Sequence, residues 1–483
     1  MSDRGTMNGA EWLAKALAGT GMSHVFFVES VMRRTLLQLS DLGVKPILAH
    51  SEKAAAYMAD GYARVNGRPG VCMAQSVGAA NLASGLQDAY LGRSPVIALT
   101  GHKEPRFQHR NAYQEIAHAP LFSAVTKFSS PVDTTADLPR LLRHAWRVAL
   151  TDTPRPTHLD FSGLQGDVIE LGQTAEPPVL ESEAASIPLY RPIPNDRDLA
   201  RMTALINGAR RIAIVAGDGA ASSGAGPEVV ALAEALNAPV ATTLGARAIV
   251  PARNRLSIGV VGSYSAPPAN QIVHGADLVL FLGCDTGDQA TLNWTVPARD
   301  AKIVQIDTDP SEFGRSYPNT VGLVGDVKAT LGRLNLLLGQ PSRDTSFADE
   351  AARIVMHWRS SLAPKIGKNT APISVERLCA DITTALPFDG LLVADTGYSG
   401  IWTGTMIDFN GARQGYLRAA GSLGWAFPAS LGAKCAAGAR KVVCFTGDGG
   451  FYYHLAELET ARRCGIAVTV VVNNNSGFGQ NLT

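Results

Sequence analysis

Short apolar segments alternate with longer segments of helical periodicity along the first 170 or so residues of the chain. The predicted helices cover 10–20, 31–42, 53–65 and 81–91, and the predicted strands cover 24–28, 46–50, 71–75 and 95–100. Helices that alternate with strands carry the chain from one strand to the next in the same direction, so the strands are parallel. This part of the chain is therefore predicted to form an open α/β sheet.

The same alternation recurs in two further parts of the chain. Two stretches without either period, 171–197 and 340–372, separate the three parts and are predicted to be linkers. The later strands are predicted over 211–216, 239–243, 278–282, 302–306, 391–394, 441–446 and 468–472. The sequence thus predicts three open parallel-sheet α/β domains, over residues 1–175, 190–340 and 370–483.

Composition narrows the class of protein. The 43 Lys and Arg residues almost balance the 42 Asp and Glu residues, which argues against a nucleic-acid partner or an anionic membrane surface. No apolar run approaches the roughly 18 residues of a membrane span, and the N-terminus lacks a signal-peptide pattern. The six cysteines lie singly, without zinc-site or disulfide spacing. We therefore expect a cytoplasmic protein that acts on a small molecule.

The segment 441–475 carries the most specific pattern. An apolar strand ends in a Gly-Asp-Gly turn at 447–449, an amphipathic helix follows, and a second strand ends in three asparagines at 473–475. Parallel strands place both loops at the carboxyl edge of one sheet, where ligands bind in open α/β folds. Backbone N–H groups of the turn suit a diphosphate, and carboxylate and amide oxygens suit Mg²⁺.

This pair of turns resembles the diphosphate-binding motif of the thiamin-diphosphate-dependent enzymes. The resemblance implies that Asp448 and Asn475 are side-chain ligands of Mg²⁺ and that Gly477 offers a backbone carbonyl. Gly447 and Gly449 would let the backbone approach the cofactor. Either turn alone is more typical of ordinary turn chemistry, and only their combination across one strand–helix–strand unit is specific.

A second match lies in the first domain, in AHSEKAAAYMADGYARVNGRPGV (49–71) and SVGAANLASGLQDAYLGRSPVIALTG (76–101). These segments resemble the acetolactate synthase branch of the same enzymes. The resemblance implies that Glu52 hydrogen-bonds the cofactor pyrimidine and that Asn81 contacts the cofactor. A carboxyl group there promotes the tautomer that removes the C2 proton of the thiazolium ring. Without the resemblance, Glu52 would more simply be a favourable charge at a helix N-terminus.

Two other segments match the same branch. NAYQEIAHAPLFSAVTKF (111–128) resembles the segment with the active-site glutamine and lysine, here Gln114 and Lys127, although Lys127 is equally typical of a strand cap. RAAGSLGWAFPASLGA (418–433) resembles the loop over the pyrimidine. There Gly421 would accept from the 4′-amino group, and Leu423 would be the apolar wedge beneath the bent cofactor.

Three features leave the resemblance incomplete. The turn after the first strand, at 28–33, replaces the family's glycine-containing turn with VESVMR, which leaves the substrate class open. The central glycine-rich turn at 217–219 has no fixed acidic partner at the next strand end, so bound FAD is left undecided. The family fold also continues beyond the asparagine motif, so we expect an incomplete third domain and a fragment of a longer protein.

The sequence therefore predicts thiamin-diphosphate- and Mg²⁺-dependent decarboxylation and carboligation of a 2-oxo acid such as pyruvate by a homodimer or homotetramer. Three relatives of that activity stay open: a simple 2-oxo acid decarboxylase, an acyl lyase and a flavin-linked oxidase. A non-catalytic nucleotide-binding protein is the alternative from another class. Glu52 distinguishes it, because a binding module has no need of an acid at that position.

Overall fold

A computed structural model describes residues 6–180, 186–338 and 344–479. The strands up to residue 174 are β1 (Met7–Asn8), β2 (His24–Phe27), β3 (Lys45–Leu48), β4 (Gly70–Ala74), β5 (Val96–His102), β6 (Phe128–Val132), β7 (Thr157–Ser162) and β8 (Gln173–Thr174). The helices are α1 (Gly9–Gly19), α2 (Arg33–Asp41), α3 (Glu52–Asn66), α4 (Ala79–Leu91), α5 (His118–Ser123), α6 (Leu138–Leu150) and α7 (Asp167–Leu171).

The middle of the chain continues the alternation of helices and strands. Its strands are β9 (Ile212–Ala216), β10 (Val240–Thr242), β11 (Ser257–Val260), β12 (Leu278–Leu282), β13 (Lys302–Asp307), β14 (Thr320–Val324), β15 (Leu391–Ala394) and β16 (Gly415–Arg418). Its helices are α8 (Asp196–Gly208), α9 (Asp218–Ser222), α10 (Gly226–Leu236), α11 (Pro267–His274), α12 (Asp288–Thr291), α13 (Val327–Leu338), α14 (Ser346–Ile366), α15 (Val375–Ala385) and α16 (Tyr398–Met406).

The last part contains α17 (Ala426–Ala437), β17 (Val442–Gly447), α18 (Asp448–Tyr452), α19 (Glu457–Cys464) and β18 (Thr469–Asn473). The described residues fall into two compact units. The first unit combines the chain up to Leu189 with Ala419–Gly477, and the second contains Tyr190–Arg418. The domain boundaries inferred from the sequence stay a prediction.

The first unit is built on a parallel six-stranded sheet of order β3-β2-β4-β5-β7-β6. Its inner strands β4, β5 and β7 are buried along their whole length, as expected for strands covered by helices on both faces. Strands β17 and β18 also pair in parallel, with Gly447 opposite Asn473. The carboxyl ends of the strands in each sheet therefore share one edge.

Helices α3 and α17 of this unit cross at two glycines. A Cβ atom on Gly61 would lie 2.0 Å from the carbonyl oxygen of Ala429, and one on Gly432 would lie 1.8 Å from that of Met58. A side chain at either position would push the two helices apart. Helix α3 begins at Glu52, and α17 follows the loop 420–425 directly.

The second unit contains a parallel six-stranded sheet of order β11-β10-β9-β12-β13-β14. The chain moves outward in one direction from β9 to β11 and then returns to the other side of β9 at β12. A doubly wound sheet of this order has its ligand crevice between β9 and β12. Strands β15 and β16 form a separate parallel pairing.

The predicted fold class, α/β with parallel sheets, is confirmed, and each predicted strand is present to within two residues at either end. Three expectations need correction. The stretch 340–372 is not all linker, because α14 fills most of it. The single helix predicted after the Gly-Asp-Gly turn is divided into α18 and α19. The pattern also missed several strands, among them the interior strand β7.

Candidate active site

Glu52 lies at the carboxyl edge of the first sheet, as the first residue of α3 after β3. The Asn81 side-chain amide donates to Glu52 Oε2 at 2.7 Å. A Cβ atom at Gly78 would lie 2.5 Å from Glu52 Oε1, so an alanine there would displace the carboxylate. The structure thus brings two of the predicted site residues, Glu52 and Asn81, into direct contact.

Gln114 is tied to the same edge through its backbone. The Ser76 hydroxyl donates to the carbonyl oxygen of Gln114 at 2.6 Å, and Ser76 opens the segment that leads to Gly78 and Asn81. Gln114 has a positive φ of 59°, which is costly for a residue with a side chain and often marks functional loops. Its side chain and that of Glu52 share no hydrogen bond in the described chain.

A buried histidine network lies beneath this segment. His118 Nε2 lies 2.9 Å from the carbonyl oxygen of Ser76, and Nδ1 lies 2.9 Å from Asp160 Oδ1. Both partners are acceptors, so either ring nitrogen of His118 can donate a hydrogen bond when it carries a proton. Burial raises the pKa of Asp160, but hydrogen bonds from histidines outweigh it and lower that pKa overall. Burial lowers the pKa of the neighbouring His158 to about 3.

Lys127 does not reach this edge. It precedes β6, at the opposite end of the sheet, and its ammonium group donates to the carbonyl oxygens of Thr151 and Thr153 at 2.7 and 3.3 Å. These contacts are those of a strand cap. A role for Lys127 in an active site has no support from the geometry of this chain.

The unusual turn 28–33 follows β2 at the same edge as Glu52. Arg33 lies 3.5 Å from Glu29 and donates to the Ser30 hydroxyl at 2.9 Å, and both charged side chains are more than half exposed. Arg34 instead lies 3.6 Å from the buried carboxylate of Glu170. Of the two arginines, only Arg33 therefore pairs with the carboxylate of the turn itself.

The three predicted metal ligands converge at the ends of β17 and β18. One terminal atom of the Asn475 amide lies 3.2 Å from Asp448 Oδ1 and 2.6 Å from the carbonyl oxygen of Gly477. With nitrogen at that position, the amide donates to both oxygens. With oxygen there, the amide oxygen lies 3.2 Å and 2.6 Å from the other two oxygens, near the roughly 2.9 Å edge of a Mg²⁺ octahedron.

The loop 420–425 lies against the segment that follows the Gly-Asp-Gly turn. A Cβ atom on Gly424 would lie 2.6 Å from the Cβ of Tyr453. By contrast, a Cβ on Gly421 would have no atom within 4 Å, and Gly421 lacks a positive φ. Neither packing nor backbone conformation requires glycine at 421, and its missing side chain leaves open space. The next apolar residue, Leu423, is 40% exposed.

Sequence reasoning missed the group that holds this loop. Asp88, on α4, is fully buried and accepts hydrogen bonds from the backbone N–H groups of Ala420, Gly421 and Ser422 at 2.9, 3.1 and 2.9 Å. Burial raises the pKa of Asp88, although the nearby Arg64 opposes the shift. The aspartate of the segment QDAY is visible in the sequence. Nothing nearby in the sequence marks its role, because its partners lie more than 330 residues away.

A second missed residue supports Glu52. Glu457, the first residue of α19, accepts from the backbone N–H of His50 at 3.0 Å and from the Thr460 hydroxyl at 2.7 Å. Burial raises the pKa of Glu457. The neighbouring Glu459 lies 2.8 Å from His50 Nε2. Helix α19 therefore fixes the backbone just before Glu52, although an acid at a helix start suggests only an N-terminal charge.

Comparison with protein-family models assigns a class to this fold and site. Residues 7–121 match the N-terminal TPP binding domain of thiamine pyrophosphate enzymes, 199–334 match the central domain, and 395–481 match the C-terminal TPP binding domain. The chain thus has all three segments of a thiamine pyrophosphate enzyme in order, which confirms the resemblance inferred from its motifs.

Individual relatives narrow the class to one family. A probable acetolactate synthase large subunit of Methanococcus aeolicus is 31% identical, over 98% of this chain and 81% of the relative. Acetolactate synthase isozyme 1 large subunit of Escherichia coli is 29% identical, over 99% and 83%. A probable 2-ketoarginine decarboxylase of Pseudomonas aeruginosa is 30% identical, over 99% and 84%. The chain belongs to the acetolactate synthase family of thiamin-diphosphate-dependent enzymes.

No helix within the described ranges combines the length and the apolar character that crossing a membrane requires.

Proposed function

We propose that this chain decarboxylates a 2-oxo acid such as pyruvate and transfers the remaining acyl carbon to a second carbonyl compound, with thiamin diphosphate and Mg²⁺ as cofactors. The observation that carries the proposal is the Glu52 carboxylate, held by Asn81 at the carboxyl edge of the sheet and given room by Gly78. A nucleotide-binding module has no use for an acid placed in this way.

The residues around Asp448 fit a magnesium ion that is shared with a diphosphate. Asp448, Asn475 and Gly477 offer one carboxylate, one amide and one carbonyl oxygen, which are hard donors of the kind that Mg²⁺ takes. Three protein oxygens leave coordination positions for phosphate oxygens. Metal and cofactor should therefore bind together rather than separately.

The residues around Gly421 fit an aminopyrimidine ring. The Gly421 carbonyl would accept from an exocyclic amino group, and the exposed Leu423 offers an apolar surface beneath a bent cofactor. Glu52 would hold a proton at the opposite ring nitrogen. Gln114, whose carbonyl oxygen accepts a hydrogen bond from the Ser76 hydroxyl, would contact the substrate.

When bound, thiamin diphosphate would supply a nucleophilic carbon that adds to the oxo-acid carbonyl and a cationic thiazolium ring that accepts the electron pair of the broken C1–C2 bond. Carbon dioxide leaves, and the acyl carbon then forms a bond to the second carbonyl carbon. The chain's own part is to orient both substrates and to move the proton that Glu52 holds.

A direct test combines activity with one substitution. The protein should consume a 2-oxo acid only when thiamin diphosphate and Mg²⁺ are both added, with products identified by mass spectrometry in a screen of oxo acids and aldehydes. Glu52→Gln should slow hydrogen–deuterium exchange at cofactor C2 by roughly 10²- to 10⁴-fold, because an amide cannot pass the proton. Glu29→Gln, at the same edge, is the matched control. An unchanged exchange rate in Glu52→Gln would remove that residue from the mechanism.

A decarboxylase of a larger oxo acid is the second candidate. The exposed Glu29 carboxylate, absent from the family's glycine-containing turn, would attract a positively charged substrate side chain. The similarity to a probable 2-ketoarginine decarboxylase is consistent with such a substrate. In this case the product screen would show the aldehyde without a ligated product.

We also propose a cytoplasmic homodimer or homotetramer. No disulfide joins any of the six cysteines, all of which lie in the described ranges, and this suits a reducing compartment. The segment after the Gly-Asp-Gly turn exposes the apolar side chains of Tyr452, Leu455 and Leu458, a surface that a second copy would cover. Light scattering after size-exclusion chromatography measures the assembly, and a monomer at micromolar concentration would contradict it.

A further inference from the structure

The loop 420–425 is held at its first half by one buried carboxylate. Asp88 receives three consecutive backbone N–H groups, those of Ala420, Gly421 and Ser422, at 2.9–3.1 Å. Gln87, the preceding residue of α4, adds a hydrogen bond to the Ser422 hydroxyl at 3.2 Å. Three donors on one acceptor group fix the orientation of three successive peptide planes.

The second half of the loop is held by another buried carboxylate. The Trp425 indole N–H donates to Asp60 Oδ2 at 2.9 Å, and both residues are fully buried. Arg64 joins the two ends, because its guanidinium donates to Asp60 at 2.7 and 2.8 Å and lies 3.5 Å from Asp88. It also lies over the Trp425 ring, 4.8 Å from the centroid. We refer to Asp88, Arg64 and Asp60 as the acidic bracket.

The bracket determines where the Gly421 carbonyl points. The N–H of Ser422 and the C=O of Gly421 belong to one planar, trans peptide unit and point in opposite directions. With the Ser422 N–H bound to Asp88 at 2.9 Å, the Gly421 carbonyl must face away from Asp88. Leu423 lies between the two anchors, and its side chain is 40% exposed.

We infer that the acidic bracket positions the Gly421 carbonyl and the Leu423 side chain for the aminopyrimidine of the cofactor. Its three members act through the loop and are positioning residues. The inference rests on the proposed function, since it assigns these residues to the cofactor site named there. It predicts that a substitution in the bracket weakens cofactor binding more than it lowers the stability of the fold.

The test compares two buried aspartates in the full chain. Asp88→Asn leaves one acceptor oxygen for three N–H groups and places a donor beside them. Asp326→Asn is the matched control, because Asp326 is also buried and binds one arginine and a backbone N–H, but lies in the second unit. Two quantities are measured: amide hydrogen exchange of a peptide covering 420–422 without cofactor, and the Kd of thiamin diphosphate with Mg²⁺ by calorimetry.

Asp88→Asn should speed exchange at 420–422 and raise the Kd, each by at least about tenfold. Asp326→Asn should lower the Tm about as much as Asp88→Asn lowers it. It should leave the exchange at 420–422 and the Kd within about twofold of the parent. A parent-like Kd or parent-like exchange in Asp88→Asn would overturn the inference. A similar loss of binding in Asp326→Asn would do so too, because the effect would then be general destabilisation.

Two further comparisons keep the result interpretable. If Asp88→Asn does not fold, Trp425→Phe decides in the same two measurements, because it removes one hydrogen bond and keeps the buried ring. If the parent itself does not bind thiamin diphosphate, the proposed function fails. The exchange of 420–422 without cofactor still shows in that case whether the bracket holds the loop.

Discussion

Two turns of identical sequence, Gly-Asp-Gly at 217–219 and at 447–449, occupy the same local structure. Each follows a parallel strand, and in each the aspartate is the first residue of a five-residue helix. Their aspartates nevertheless have different partners. Asp218 accepts from the Thr243 hydroxyl at 3.2 Å, whereas Asp448 lies beside the Asn475 amide, which in turn lies beside the carbonyl oxygen of Gly477.

The two aspartates have different partners because the neighbouring strand ends carry different groups. Around Asp218 there is little space, since a Cβ on Gly245 would lie 2.1 Å from its carboxylate, and the Gly219 N–H already donates to Gly283. Around Asp448, the loop after the next strand brings the Asn475 amide and the Gly477 carbonyl oxygen. The motif supplies a carboxylate, and its tertiary neighbours decide whether that carboxylate is a ligand or a structural acceptor.

Substituting each of the two aspartates by alanine is the strongest test of whether they differ in function. Asp448→Ala should weaken the binding of thiamin diphosphate with Mg²⁺ by roughly 10²- to 10³-fold, because a charged ligand is lost. Asp218→Ala should leave the affinity within a few-fold and affect stability only. Calorimetry of both variants measures the contrast. Equal losses, or tight binding by Asp448→Ala, would show that the two turns do not differ in function.

The turn at 28–33 extends the comparison to another strand end. There the charges of Glu29 and Arg33 pair with each other but stay exposed. The Glu29 carboxylate beside the site should repel the carboxylate of pyruvate, so acetolactate formation from two pyruvates should be slow. Glu29→Gly removes that charge and frees Arg33, so kcat/KM for pyruvate should rise several-fold, and less so at high salt. Arg33→Gln, as the opposite change, should lower it. Efficient synthesis by the parent with no gain in Glu29→Gly would contradict this prediction.

The smallest expected effect concerns pH and the two six-stranded sheets. His158 in the first sheet has a pKa of about 3, below its value of 6.5 in an unfolded chain, because it is buried. A lowered pKa gives stability that is present above pH 6.5 and lost as pH falls towards 3, by at most about 1.4 kcal/mol per pH unit. Strands β9–β14 contain no histidine.

Amide exchange at pH 7 and pH 5, corrected for intrinsic rates, should therefore show greater loss of protection in β7 than in β12. The Asp160 carboxylate outweighs burial and raises the pKa of His102, but that contribution changes only above pH 6.5. His158→Gln should reduce the difference between the sheets. Equal loss in both sheets would mean that His158 does not set the acid response.

The extent to which sequence predicted this structure follows the range of the interactions. Helices and strands such as α3 and β12 follow from local periodicity, and the predicted ligands Asp448 and Asn475 follow from strand ends that share an edge. Asp88 and Glu457 could not be found in this way, because their partners lie hundreds of residues away. Helix α14 was hidden by flanking residues typical of a linker.

The crossing of α3 and α17 has a consequence for how the protein can vary. Glu52 opens one helix, the loop 420–425 precedes the other, and the helices touch backbone to backbone at Gly61 and Gly432. In a library that samples every substitution, these two glycines should tolerate change as poorly as Glu52 does, although neither reaches a ligand. Efforts to alter substrate choice should therefore leave this contact intact and direct diversity to the turn at 28–33.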